Sequence, residues 1–408
     1  MSIHPVVVGH CRRRLSPRRW MSSSTVFPVE EVLEDGSTAF DVDGTAEVLE
    51  RVATPNRSNA RTLLLNRPKA LNALSTSMCK RVFERVSRFD ESDLVSAVIM
   101  RSTTPKAFCA GGDARKVALA CKDGLFEEAL DVFRHEFHLD YLLGSLKTTK
   151  QISFIEGICM GGGAGISVHG SYRVASESTV FAMPECNIGL IPDIGASYFL
   201  PRLPKQIGRY LALTGARLNG AAAVAAGVAT HYVPTSLLDG LERRLSEVIN
   251  TREFEPKTVT LALEECTEAV APIGNYPNIE NIESCFGKDT VEEILEELEK
   301  LKANGGEALE FAEEAIDSMT KANPVSLKLA LEAQKRGSQS TLRECFEMEF
   351  ALVANLVTQS GGGDFYEGIR AALIDKDRNP KWSLKSISDV EEIDSYFQLP
   401  AGVDELFS

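Results

Sequence analysis

The chain has 408 residues, 44% of them hydrophobic, and a formal net charge of −14. That is enough apolar material for a sizeable core, read as one large domain plus a smaller one. The acidic balance argues against broad contact with nucleic acid or anionic lipid, and no apolar run approaches the roughly 18 residues of a membrane span. Neither direct DNA binding nor a membrane partner is therefore expected.

The first twenty residues break from this balance. Arg12, Arg13, Arg14, Arg18 and Arg19 occur there without one acidic residue, and Ser22, Ser23 and Ser24 follow. This is the composition of an organelle-targeting peptide, most simply a mitochondrial one, and residues 1–25 are assigned to it. A plain basic arm is the alternative. Nine cysteines run from Cys11 to Cys345 with no CxxC pair, which suits a reducing compartment and buried thiols rather than disulfides or zinc.

Thr62 to Asn66, Ser96 to Arg101 and Ile152 to Ile155 read as short buried strands, each followed by a turn signal and then a helical pattern. Arg81 to Phe89 and Phe126 to Leu143 have helical spacing of apolar residues. Strand, turn and helix in repetition give an α/β architecture. Beyond about residue 240 the pattern changes. Val291 to Leu301 is an amphipathic helix with a solvated acidic face, and Leu342 to Val357 is another helix, ended by Gly361-Gly362-Gly363. We divide the chain into the leader (1–25), an α/β core (40–245) and a mainly helical C-terminal region (250–395).

Three segments carry chemistry. Gly111-Gly112-Asp113 follows Phe108 and precedes a helical stretch from Ala114 to Cys121 that Asp113 would cap. Gly161-Gly162-Gly163 opens a second helical stretch, Ala164 to His169, and matches neither a dinucleotide nor a P-loop fingerprint. Both turns bare backbone N–H groups able to face developing negative charge, and Gly162 is an oxyanion donor candidate. Downstream, FAMPECNIGLIPDIG places Glu185 and Asp193 in an otherwise uncharged, Gly- and Pro-broken stretch. Isolated carboxylates beside such turns suit acyl chemistry on a carbonyl. Each also has a structural alternative: Glu185 as a satisfied buried acid, Asp193 as an N-cap of the following IGASYFL helix. Cys109, Cys159 and Cys186 lie close by and read as small apolar packers. His135-Glu136-Phe137-His138 lacks the HExxH spacing of a zinc helix, so no metal is assigned, and Glu136 is kept as a residue that reaches a cleft.

NRPKALNAL (66–74), FCAGGD, GICMGGGAG and MPE together resemble the crotonase, or enoyl-CoA hydratase/isomerase, superfamily. GGGAGISVHG, FAMPECNIGLIPDIG with YFLPRL after it, and FYEGIRAALIDKDRNPKW (365–382) are similar to its 3-hydroxyisobutyryl-CoA hydrolase branch. The likeness runs from about residue 55 to 385. It implies a spiral of ββα units with a helical C-terminal region, an acyl-CoA substrate, no metal or redox cofactor, and homo-oligomers. By the same resemblance Glu185 and Asp193 are catalytic, Gly112 and Gly162 form the oxyanion hole, and Glu136 binds substrate along with Gly162, Glu185 and Asp193. Lys69, Ala70 and Leu71, with Gly111 and Asp113, would contact coenzyme A.

Hydratases of the family work a water between two glutamates, the first on the helix after the glycine triplet. Gly165 stands at that position here, which disfavours hydration and leaves thioester hydrolysis to a 3-hydroxy acid and free coenzyme A, as in valine catabolism. In that reading Glu185 attacks the carbonyl or activates water, and Asp193 binds the 3-hydroxyl. Ala196 and Ser197 replace glycines usual in these hydrolases, and their bulk is expected to reshape the acyl pocket. Two other functions stay open at this point: a component of the mitochondrial ribosomal small subunit that keeps the fold, and an enoyl-CoA hydratase/isomerase.

Overall fold

The computed structural model describes residues 29–32, 38–41, 47–51, 58–249 and 255–407. The basic leader falls outside them. Among the described residues twelve strands form two sheets. β1 (Val29–Val32), β2 (Thr38–Asp41), β3 (Val48–Arg51), β4 (Ala60–Leu65), β5 (Ala97–Ser102), β6 (Ala107–Cys109), β7 (Lys150–Ile155) and β8 (Ile158–Met160) come first. β9 (Tyr172–Ala175), β10 (Val180–Ala182), β11 (Leu218–Asn219) and β12 (His231–Tyr232) complete the set. The larger sheet runs β1-β2-β3-β4-β5-β7-β9-β12 and the smaller β11-β10-β8-β6.

Each turn of the chain lays one longer strand in the large sheet and a short one in the small sheet, then turns into a helix or helical turn. β4 leads to α1 (Thr76–Asp90), and β5 and β6 lead to α2 (Ala114–Lys122). After α3 (Phe126–Gly144), β7 and β8 lead to α4 (Gly162–Val168), and β9 and β10 lead to the Glu185–Ile188 turn. This is the expected spiral of ββα units. The strands exist because they are apolar on both faces: all of Ala97–Arg101 is buried. Their alternation splits the core by side. Val98 and Met100 join the main core, whereas Ala97 and Ile99 pack with Phe154, Leu238 and Leu241 beneath the sheet.

The expected strands and helices recur with ends shifted by at most five residues. Leu342–Val357 forms as expected, but it stops at Thr358, and the Gly361-Gly362-Gly363 run makes a separate turn that opens the Gly363–Ile369 helix. Helices dominate the chain after residue 255.

The small sheet builds the site. β6, β8 and β10 are parallel neighbours, with Cys109 beside Cys159 and Cys159 beside Phe181. Their C-terminal ends therefore release Gly111-Gly112, Gly161-Gly162 and Pro184-Glu185 side by side. Ligands of parallel sheets bind at such strand ends.

Candidate active site

At Gly111 the backbone takes φ +112° and at Gly161 +47°, values that favour glycine. These turns leave the N–H groups of Gly112 and Gly162 without a backbone acceptor among the described residues. Gly162 opens α4, two residues earlier than expected, so its N–H sits in the first turn of a buried helix. Gly112 is held by a bridge to Leu74: Leu74 N donates to Gly111 O at 2.8 Å, and Asp113 N donates to Leu74 O at 3.0 Å. Asp113 caps α2 as expected, accepting from Lys116 N at 3.4 Å.

A cavity of about 230 Å³ lies over these turns. Gly111, Gly112, Asp113, Gly162, Glu136, Glu185 and Asp193 all border it, so most of the sequence-selected residues converge. Lys69, Ala70 and Leu71 lie outside the cavity but next to it, since Ala110 N donates to Leu71 O at 3.0 Å. Asn72, buried with φ +56°, ties that loop down: its side chain accepts from Arg67 N and donates to Ser102 Oγ and Phe108 O. Apolar walls come from α3 (Val132, Phe133) and the C-terminal tail (Phe365, Ile369). That tail rests on the Glu185 turn, where a Cβ on Gly368 would overlap the Ile188 backbone.

Glu136 projects from the inward face of α3 against both glycines. A Cβ on Gly112 would lie 3.1 Å from Glu136 Oε2, and one on Gly162 would collide with Oε1. Burial pushes the Glu136 carboxyl up to about 7. Its neutral form is the one compatible with an oxyanion held at the adjacent N–H groups. Glu185 is also buried; Oε1 would stand 2.9 Å from a Cβ on Gly161, and Oε2 has no hydrogen-bond partner among the described residues. Burial, with the Glu136 charge adding to it, pushes Glu185 up to about 8. Asp193 is raised by burial first, then by Glu185, Glu136 and Glu349.

The geometry sets aside the two structural alternatives. Asp193 is not a helix cap: the short helix Ala196–Phe199 is preceded by Gly195, with no side-chain cap. Its backbone carbonyl accepts from Ala196 N at 2.9 Å, and its side chain faces the cavity. Glu185 is not a satisfied structural acid, given its unpaired Oε2. Ala196 and Ser197, expected to reshape the acyl pocket, are buried and do not border the cavity directly. The three cysteines behave as packers: burial raises the thiols of Cys109 and Cys186, and that of Cys159 to about 12. His135 Nδ1 contacts the Asp131 carbonyl at 2.6 Å and His138 packs on Phe407, so the two imidazoles do not converge on Glu136.

Two buried acids escaped the sequence reading. Asp140, one turn after Glu136 on α3, has both oxygens unpaired, and burial raises it well above the carboxylate range. A side chain at Gly165 would strike it. The space a second hydratase glutamate would use is thus filled. Glu349, from the Leu342–Val357 helix, accepts from Gly195 N (2.6 Å), Ser197 N (2.7 Å) and Ser197 Oγ (2.5 Å). The i, i+4 spacing of Glu136 and Asp140 was a visible signal. Glu349 had none, because its partners lie about 150 residues upstream.

Two sheets wound as ββα units, with N–H-bearing glycine turns and a glutamate at adjacent strand ends, define the class. The chain belongs to the enoyl-CoA hydratase/isomerase family, whose model matches residues 60–397. Among its relatives is the mitochondrial 3-hydroxyisobutyryl-CoA hydrolase of Xenopus laevis, 42% identical over 83% of this chain and 86% of that one. The Gallus gallus protein of the same name is 38% identical over 96% of this chain and 98% of its own. A carnitinyl-CoA dehydratase from Mycobacterium thermoresistibile superposes with a TM-score of 0.76 at 32% identity, covering 88% of this chain and 98% of that chain.

Proposed function

We propose that the protein hydrolyses a 3-hydroxyacyl-CoA thioester of the 3-hydroxyisobutyryl-CoA kind to free coenzyme A and the 3-hydroxy acid, in mitochondria. The observation that carries this reading is Glu185: a buried carboxyl with one oxygen unpaired among the described residues, beside two bare N–H groups in the cavity, while Gly165, on the helix after the glycine triplet, carries no carboxylate. The names of the frog and chicken relatives supply the acyl group and the compartment. They favour hydrolysis over the ribosomal and isomerase alternatives.

In the proposed reaction Glu185 delivers an oxygen to the thioester carbon, either its own or that of a water it deprotonates. The carbonyl oxygen gathers negative charge and takes hydrogen bonds from the Gly112 and Gly162 N–H groups, each contributing about 3–4 kcal/mol. Collapse of the adduct breaks the C–S bond, and coenzyme A leaves as the thiol after taking a proton from the carboxyl cluster. On the covalent route water then cleaves the acyl–Glu185 anhydride. Glu136 would border the acyl carbonyl and Asp193 the 3-hydroxyl. Lys69, Ala70 and Leu71 would hold the adenine end, supported by their place on the rim next to Ala110. The reaction needs no metal or redox cofactor, and coenzyme A is part of the substrate.

A thiol-release assay across acyl-CoA esters tests the reading. Release from 3-hydroxyisobutyryl-CoA faster than from isobutyryl-CoA or crotonyl-CoA is expected. Loss of crotonyl-CoA absorbance without thiol release would instead identify a hydratase.

A further inference from the structure

The turn that carries Asp193 is unusual. Ile194, a β-branched residue, takes φ +57°, and Gly195 follows at +81°. A left-handed β-branched residue is a conformational outlier that persists only where its surroundings over-determine it. Two structures hold this one. His169 Nε2 lies 2.8 Å from the Ile194 carbonyl, and since that carbonyl can only accept, Nε2 carries the proton. On the other side, successive N–H groups of the turn form a concavity of the kind that binds anions. Glu349 fills it, with one oxygen on Gly195 N and the other on Ser197 N and Ser197 Oγ.

We propose that Glu349 is the positioning residue for Asp193, and that Ser197 strengthens its hold. Glu349 is fully buried and reaches the turn from a helix that also packs on α3, through Phe346 and Phe350 against Phe137. One helix therefore sets the Asp193 turn in register with Glu136. Relaxing the clamp lets Ile194 leave its strained backbone conformation, and the Asp193 carboxylate, one residue before, moves with it. Ser197, which stands where a glycine was expected, adds a third hydrogen bond to the same carboxylate and does so away from the cavity. The clamp acts on recognition of the 3-hydroxyl, so it rests on the role proposed for Asp193.

The test compares kcat/KM for 3-hydroxyisobutyryl-CoA with that for isobutyryl-CoA, which lacks the hydroxyl. Four variants are used: Asp193→Asn, Glu349→Gln, the double variant and Ser197→Ala. In Glu349→Gln the amide NH2 faces one of the turn's N–H donors, so at least one bond is lost at constant size. Asp193→Asn and Glu349→Gln should each lower the ratio about tenfold, with no further fall in the double variant. Ser197→Ala should lower it about threefold. A purely structural role would lower both substrates together and leave the ratio in place. Should Glu349→Gln fail to fold, as judged by near-UV circular dichroism, Ser197→Ala carries the test alone. An unchanged ratio in Asp193→Asn overturns the role of Asp193 and the clamp with it. A lowered ratio there, with unchanged ratios in the folded clamp variants, overturns the clamp only.

Discussion

Two groups of buried acids in this molecule meet opposite fates. Under the large sheet, Glu156 and Glu242 surround Arg101 at 2.8 and 2.7 Å, and Arg51 reaches Glu242 at 2.6 Å. Burial opposes ionisation of Glu242, but Arg101 and Arg51 outweigh it and hold the carboxyl below its ordinary range. In and behind the cavity wall, Glu136, Glu185 and Asp193, which border the cavity, and Asp140 and Glu349, which do not, are buried with no ion-pair partner among the described residues, and all are raised. Burial is similar in the two groups, so the neighbouring charge decides the direction. Glu242 is built to stay charged and fixed. Glu136, Glu185 and Glu349 are held near neutral pH, where a carboxyl can both give and take a proton.

The largest effect expected from breaking this contrast is in the paired group. Arg101→Leu would strand Glu156, leave Glu242 to Arg51 alone, and should cost about 3–5 kcal/mol of folding stability, read by chemical denaturation. Thiol release per folded molecule should change little. Gly162→Ala should do the reverse. Its Cβ would meet the Glu136 carboxylate and displace one oxyanion donor, lowering kcat about 100-fold.

A smaller effect follows from linkage. The unfolded Glu185 carboxyl loses its proton around 4.5, the folded one at about 8. Between these values the native state binds the extra proton, so stability falls as pH rises from about 4.5 to 8 and levels off above. Glu185→Gln removes that slope. It should stabilise the protein at pH 8, by no more than about 4 kcal/mol, and by almost nothing near pH 4.5, measured as melting temperature against pH.

Much of the site was legible because its signals are local. A short apolar run followed by Gly-Gly, or by Pro-Glu, marks a strand end with a bared backbone, and parallel pairing of β6, β8 and β10 then brings three such ends together. What stayed hidden depends on contacts distant in sequence. Glu349 sits on a helix whose acids, read from the chain, resemble a solvated face. Packing of the Leu342–Val357 helix against α3 and the Asp193 turn buries it. The cap reading of Asp193 failed for the same reason, since the turn's N–H groups are served by Glu349 from a remote helix. Ser197 was expected to crowd the pocket and instead points into that clamp.

The central claim is that the unpaired Glu185 carboxyl performs the chemistry. Its most direct test is the pH profile of kcat/KM for thiol release from 3-hydroxyisobutyryl-CoA, in the wild type and in Glu185→Gln. The account predicts a wild-type rate that rises with pH to a titration near 8, as required of a base that must lose its proton. In Glu185→Gln it predicts a rate lower by about 10²–10⁴ with that titration gone. A variant that releases thiol at the wild-type rate, or keeps the same rising limb, would contradict it.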